Sequence, residues 1–191
     1  MCSFGLKLLY YSPYSLFNRK AIDRKQRHSL ETSEFTLRVI LVGVGATMVM
    51  DLWALLLKPF GIPSLNFAFL GRWIGHMPER QWIHDSISKS APVKGELWMG
   101  WCAHYSIGIS FAALLVSVYG LEWVRTPSLL PALLIGISTV VAPLFILQPA
   151  LGAGIASSKT PTPVFNSLKS LATHTIFGFG LYLAALTTSL W

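Results

Sequence analysis

Four apolar stretches of about twenty residues each constrain this chain more than any other feature. They cover about residues 37–57, 97–119, 129–150 and 168–190. A helix rises about 1.5 Å per residue, so each run is long enough to cross a hydrocarbon layer of about 30 Å. Only 12% of the residues are charged and 53% are hydrophobic, with a mean hydropathy of +0.55. A soluble domain carries roughly a quarter charged residues, so this surface must face something other than water. The fold expected is an all-α membrane protein: a four-transmembrane-helix bundle, multi-pass, in a bacterial cytoplasmic (inner) membrane.

The segments between the runs organise the rest. Residues 1 to about 35 read as a basic polar tail, with Arg19, Lys20, Arg24, Lys25 and Arg27 clustered ahead of the first run. No small-residue cleavage site follows an apolar core there, so it does not read as a cleaved signal peptide. The transmembrane domain is expected over 36–191. Trp98, Trp101 and Tyr119 bracket the second run as interface anchors, and Trp191 closes the fourth. Pro143 and Pro149 fall inside the third, where proline removes a donor, so a kink or an early end is expected near Gln148. A long connection between the first two runs, GRWIGHMPERQWIHDS at its centre, is aromatic and basic and reads as an interfacial segment. Four spans place the two long loops on one face. The tail favours a cytoplasmic N-terminus, whereas the loop lysines and arginines alone favour cytoplasmic loops, so the orientation stays open.

The formal charge of +7 fits loops lying against anionic lipid headgroups, and no basic nucleic-acid-binding motif accompanies it. The expected partner is the lipid bilayer, not a nucleic acid. Cys2 and Cys102 lie in different settings, one in the tail and one in an apolar run, so no disulfide between them is expected.

The informative residues are those that do not belong in hydrocarbon. Asp51, His104, Gln148 and His174 fall one to each apolar run. An ionisable group at membrane depth costs roughly 2.5–3.5 kcal/mol on insertion scales and marks function by default. Counted from the long-loop face, Asp51, His104 and His174 lie six or seven residues inside their runs, and Gln148 near the same end of the third. One polar layer is therefore expected. Each member also lies on a stripe spaced by four: Gly43, Thr47 and Asp51; Gly100, His104 and Gly108; Ser170, His174 and Gly178. Residues four apart share a helix face, and small-residue stripes are the faces that pack on other helices. Such faces would also serve a homo-oligomer.

Several uses of that layer are open. The polar groups can act as hydrogen-bonding glue. Asp51 can pair with His104 or His174 in a proton or small-molecule pathway. Asp51, His104 and His174 can hold a divalent metal, a ligand set suited to zinc or ferrous iron. His104 and His174 can be axial ligands of a haem, with Gly108 and Gly178 leaving room for it. His76 and His84, in the loop on the same face, are expected to be exposed interfacial residues, with extension of a path to water or headgroup binding as the alternative. No Walker loop, GxSxG, HExxH or GxGxxG occurs, and an enzyme is not the leading expectation. The leading expectation is a transporter-like or ligand-binding bundle. A metal- or haem-binding redox protein and a structural or partner-binding subunit are the alternatives.

A weak internal repeat runs through the spans. His104–Gly108 matches His174–Gly178, and Leu41–Gly43 matches Leu134–Gly136, consistent with two tandem helical hairpins. The stretches GVGATMVMDLWALLL, GIPSLNFAFLGRWIGHMP, GELWMGWCAHYSIGISFAALL, LFILQPALGAGIASSKTPTP and THTIFGFGLYLAAL together resemble domain-of-unknown-function family 2938, small bacterial membrane proteins. The resemblance covers about residues 37–187 and implies a four-helix inner-membrane protein, without implying an activity or a catalytic residue. The basic tail before Thr36 departs from that pattern and reads as an extension or an upstream start.

Overall fold

The computed structural model describes residues 13–190, with the side chains of 13–23 and 27–28 excepted. Cys2, the closing Trp191 and the side chains of Arg19, Lys20 and Arg27 therefore lie outside the described residues. The chain divides into two units, Met1–Leu37 and Arg38–Trp191. In the first, the described residues are helical from Pro13 onward, and Arg24, Lys25 and Gln26 are exposed.

The second unit holds the apolar elements. No strand occurs among the described residues. Helix α1 (Pro13–Leu57) contributes its apolar end, followed by α2 (Phe67–His76), α3 (Glu96–Tyr119), α4 (Leu121–Arg125), α5 (Leu129–Ser138), α6 (Gln148–Ala150) and α7 (Pro163–Thr188). Among the described residues, four helical stretches are long and apolar enough to span a membrane: one in α1, α3, Leu129–Ala150, and α7.

Local chemistry sets the boundaries. The Asn66 side chain accepts a hydrogen bond from the Ala68 N–H at 3.0 Å and starts α2. Proline at N1 starts α7 at Pro163, where the missing N–H costs nothing. This start is five residues ahead of the one expected from hydropathy. Gly120, at φ 81°, ends α3.

The third span ends at Ala150, two residues past Gln148, as its prolines led one to expect, and it is also interrupted earlier. Helix α5 stops at Ser138, ten residues before Gln148. The cause is Pro143 acting backward: it has no N–H for the carbonyl four residues earlier. The Thr139 carbonyl instead accepts from the Ala142 N–H at 3.0 Å, tightening the turn. A wide π turn, Pro143–Leu147, follows, and Pro149 lies in the last turn, α6.

Glycine lets the helices meet at backbone distance. A Cβ on Gly43 would strike the backbone of Ile109, and one on Gly108 would strike the Thr47 side chain, so α1 and α3 cross there. A Cβ on Gly136 would overlap Gly178, where α5 crosses α7. Helix α2 lies on α3 in the same way, Gly71 against the Glu96 carbonyl and Gly100 against that of Phe67. The Gly-rich faces thus lie against helices of the same chain. Val42, Leu115, Val116 and Leu181 fill the core. Outward, Leu52, Leu56, Val118, Leu130, Leu134 and Phe145 are each more than half exposed.

Candidate functional site

Three helices and one wide turn bring the polar residues together. Asp51 lies six residues before the end of α1, or about 9 Å along its axis. His104 lies eight residues into α3, about 12 Å. His174 lies eleven residues into α7, about 16 Å, because that helix starts at Pro163. Together with Gln148, at the start of α6, these residues line one cavity of about 430 Å³. A second cavity, about 360 Å³, shares Met50, Leu65, His104, Pro143, Leu147 and His174 with the first.

Within the first cavity the four residues do not all bond to one another. His104 Nε2 donates to Asp51 Oδ1 at 2.9 Å, and the Tyr105 hydroxyl donates to Asp51 Oδ2 at 3.0 Å. Both carboxylate oxygens therefore have a donor. Phe67 of α2 covers the His104 ring at a centroid separation of 4.4 Å, and Trp101 meets it edge-on at 6.0 Å. His174 goes its own way. The Thr139 hydroxyl gives its one proton to the Gly136 carbonyl at 2.6 Å, so at 2.9 Å from His174 Nδ1 it must accept. That fixes the proton of neutral His174 on Nδ1 and leaves the lone pair on Nε2. Gln148 Nε2 donates to Ser170 Oγ at 3.3 Å, while its Oε1 is buried without a partner. Lys169, one residue before Ser170, also lines this cavity, and its ammonium donates to the Pro63 carbonyl at 2.9 Å.

The metal expectation does not survive this geometry. Among the described residues no three His, Cys, Asp or Glu side chains converge as a ligand set. Asp51 takes His104, but His174 is turned to Thr139. The haem expectation fails on space. Thr47 fills the gap beside Gly108, and Ala132 and Gly136 fill the gap beside Gly178. The two glycines leave room for neighbouring helices, not for a macrocycle.

His76 and His84 are not exposed, contrary to the sequence expectation. They are 6% and 5% accessible, and their rings stack at 5.1 Å with Nδ1 of His76 and Nε2 of His84 2.9 Å apart. His84 Nδ1 is buried without a partner. An orphaned lone pair costs less than an orphaned N–H, so neutral His84 carries its proton on Nε2 and donates to His76. Neither residue lines either cavity. They belong to a cap over α2 and α3, where the loop is pinned to α6: the His84 N–H donates to the Ala150 carbonyl at 2.9 Å.

Arg72 anchors the same cap, whereas its place in the aromatic, basic connection had suggested only an interfacial residue. It is 9% accessible. Its Nε and Nη2 grip the Glu96 carboxylate at 2.8 Å each, and its Nη1 donates to the Ile87 and Ser90 carbonyls at 3.0 and 3.1 Å. The carboxylate holds the Arg72 pKa above its ordinary value. The pairing was missed because Arg72 and Glu96 are 24 positions apart. Of the cavity residues, Ser170 was signalled by its four-residue spacing from His174. Lys169 was not, and neither was Tyr105, which lines neither cavity but bonds to Asp51, since neither shares a stripe with the histidine in its helix.

The family model for DUF2938, described as a protein of unknown function, matches residues 40–188. No curated protein and no solved structure matches the chain.

Proposed function

The chain belongs to the DUF2938 family, and from that starting point we propose that it is a multi-pass protein of the bacterial cytoplasmic membrane that binds a small molecule inside its helix bundle. Its partner is the bilayer, and the cavity beside Asp51, His104, Gln148 and His174 is a site for binding or transport rather than catalysis. The supporting observation is that a polar side chain from each apolar span lines one cavity of about 430 Å³. Ligand pockets usually hold about 300–1,000 Å³ and combine apolar walls with a few polar groups. Hydrogen-bonding glue alone would need no such space. The outward leucines and phenylalanine support burial in lipid, since large apolar patches on a protein mark a non-aqueous neighbour.

In this reading the bundle is two tandem hairpins, α1 with α3 and α5 with α7, each crossing at a pair of glycines. The Asp51–His104 pair joins a carboxylate to an imidazole at the cavity wall, where it can contact the ligand.

The test is native mass spectrometry of the purified chain, with Asp51→Asn and His104→Gln beside it. A bound small molecule should accompany the wild type and be lost from both variants, while their thermal midpoints stay within a few degrees. Interhelical hydrogen bonds in membranes average only about 0.6 kcal/mol, so folding should survive. If both variants unfold and the wild type carries no ligand, the residues are glue and the proposal falls.

A further inference from the structure

The two cavities share six lining residues and so adjoin, and a ligand that spans both would meet two kinds of wall. At the loop end of the bundle the wall sets polar groups, Asn66, Asp51, Asn166, Lys169 and Ser170, among apolar side chains such as Leu57, Ile62 and Phe67. Toward the middle of the spans it becomes apolar, with Ile107, Phe111, Ile146 and Phe177. Lys169 is six residues into α7, whereas Phe177 is fourteen, a separation of about 12 Å along the axis. The polarity gradient therefore runs as it does in one leaflet of a bilayer, polar outside and apolar inside.

The charged groups decide the head. Asp51 and Lys169 are the charged side chains lining the polar half. Both oxygens of Asp51 are occupied, by His104 and Tyr105, so that carboxylate does not call for a cation. Lys169 differs. An ammonium offers three donors, one of which goes to the Pro63 carbonyl, and no carboxylate among the described residues pairs with it. A negative group placed here would complete it. The free lone pair of His174 Nε2 lies at the junction of the two halves and suits a hydroxyl, without fixing the charge of the ligand.

We infer that the ligand is an anionic amphiphile, a carboxylate head at Lys169 with an apolar chain reaching past His174 toward Phe111 and Phe177. The inference rests on the ligand-binding reading above and names its ligand class.

The full chain is reconstituted in nanodiscs of phosphatidylcholine, and binding of tritiated dodecanoate is measured against empty nanodiscs, with unlabelled dodecanol as competitor. Saturable binding near one dodecanoate per chain is expected, with dodecanol competing at least ten-fold more weakly. Lys169→Gln should weaken dodecanoate ten-fold or more and erase the preference for acid over alcohol, whereas Lys169→Arg should retain both. Ala142→Trp, which obstructs the apolar half, should abolish binding of either probe, and thermal midpoints confirm that each variant is folded. If dodecanol competes as well as the acid, or Lys169→Gln changes nothing, the anionic head is wrong. In that case loss of binding in Ala142→Trp would still leave the cavity as a ligand site. If neither probe saturates, or Ala142→Trp binds normally, the amphiphile is overturned, and the broader reading stands or falls on the molecule found by mass spectrometry.

Discussion

Replacing Arg72 by glutamine should loosen the cap over α2 and α3 more than any other single polar change there. The guanidinium makes two bonds of 2.8 Å to Glu96 and two to the Ile87 and Ser90 carbonyls. Glutamine is too short to replace this fork. Removing one partner of a buried ion pair costs about 3–5 kcal/mol, because the other charge is left behind. Here the side chains of Arg72 and Glu96 are 11% and 17% accessible, and Glu96 keeps the Val93 N–H at 2.9 Å. The low end, about 3 kcal/mol, is therefore the expected cost. For a chain of this length that lowers the thermal midpoint by roughly 6–12 °C, measured by tryptophan fluorescence in detergent. Hydrogen exchange should rise over residues 80–95, the segment the guanidinium holds. Adding Glu96→Gln should recover part of the loss, with a coupling of about 1–3 kcal/mol. A midpoint within two degrees of wild type, with unchanged exchange over 80–95, would refute the assignment of Arg72 as the anchor.

Two other perturbations probe separate parts of the fold. Gly108→Val and Gly178→Val force side-chain atoms into the α1–α3 and α5–α7 crossings. Each should cost at least about 1–3 kcal/mol and broaden the size-exclusion peak, whereas a sharp peak with an unchanged midpoint would mean the helices do not meet there. His84→Phe strands His76 Nδ1 and should cost about 1–3 kcal/mol. The double variant His76→Phe with His84→Phe should cost less than His84→Phe alone, as thermal unfolding would show, since no buried polar partner remains.

Legibility in the sequence followed the range of the signal. Spans are local: twenty apolar residues in a row declare themselves, and the four stretches overlap the four apolar runs, the first and the fourth starting earlier. The polar set was legible because one residue per span stands out, and counting from the loop face is enough to bring Asp51 to His104. It was not enough for the length of α7, which starts at Pro163 rather than at Leu168. The proline after Thr162 was a readable helix start, but hydropathy hid it because Asn166, Ser167 and Lys169 interrupt the apolar residues of the first two turns. The burial of His76, His84 and Arg72 was not legible at all. Each resembles a surface residue until its partner is known, and only the fold brings Glu96 to Arg72 or folds residues 76–84 back so that two imidazoles meet.

The wide turn at Pro143–Leu147 carries a consequence for how the cavity wall is counted. A π turn holds one residue more than an α turn, and one residue advances a helix by about 100°. Deleting a single residue between Pro143 and Leu147 would let the backbone return to ordinary pitch and leave the span long enough. Because the wide turn takes up the extra residue itself, Gln148 and Ala150 would keep nearly the same face toward the cavity. Related chains with an ordinary turn here should therefore carry one residue fewer across it and still present the same residue at the position of Gln148.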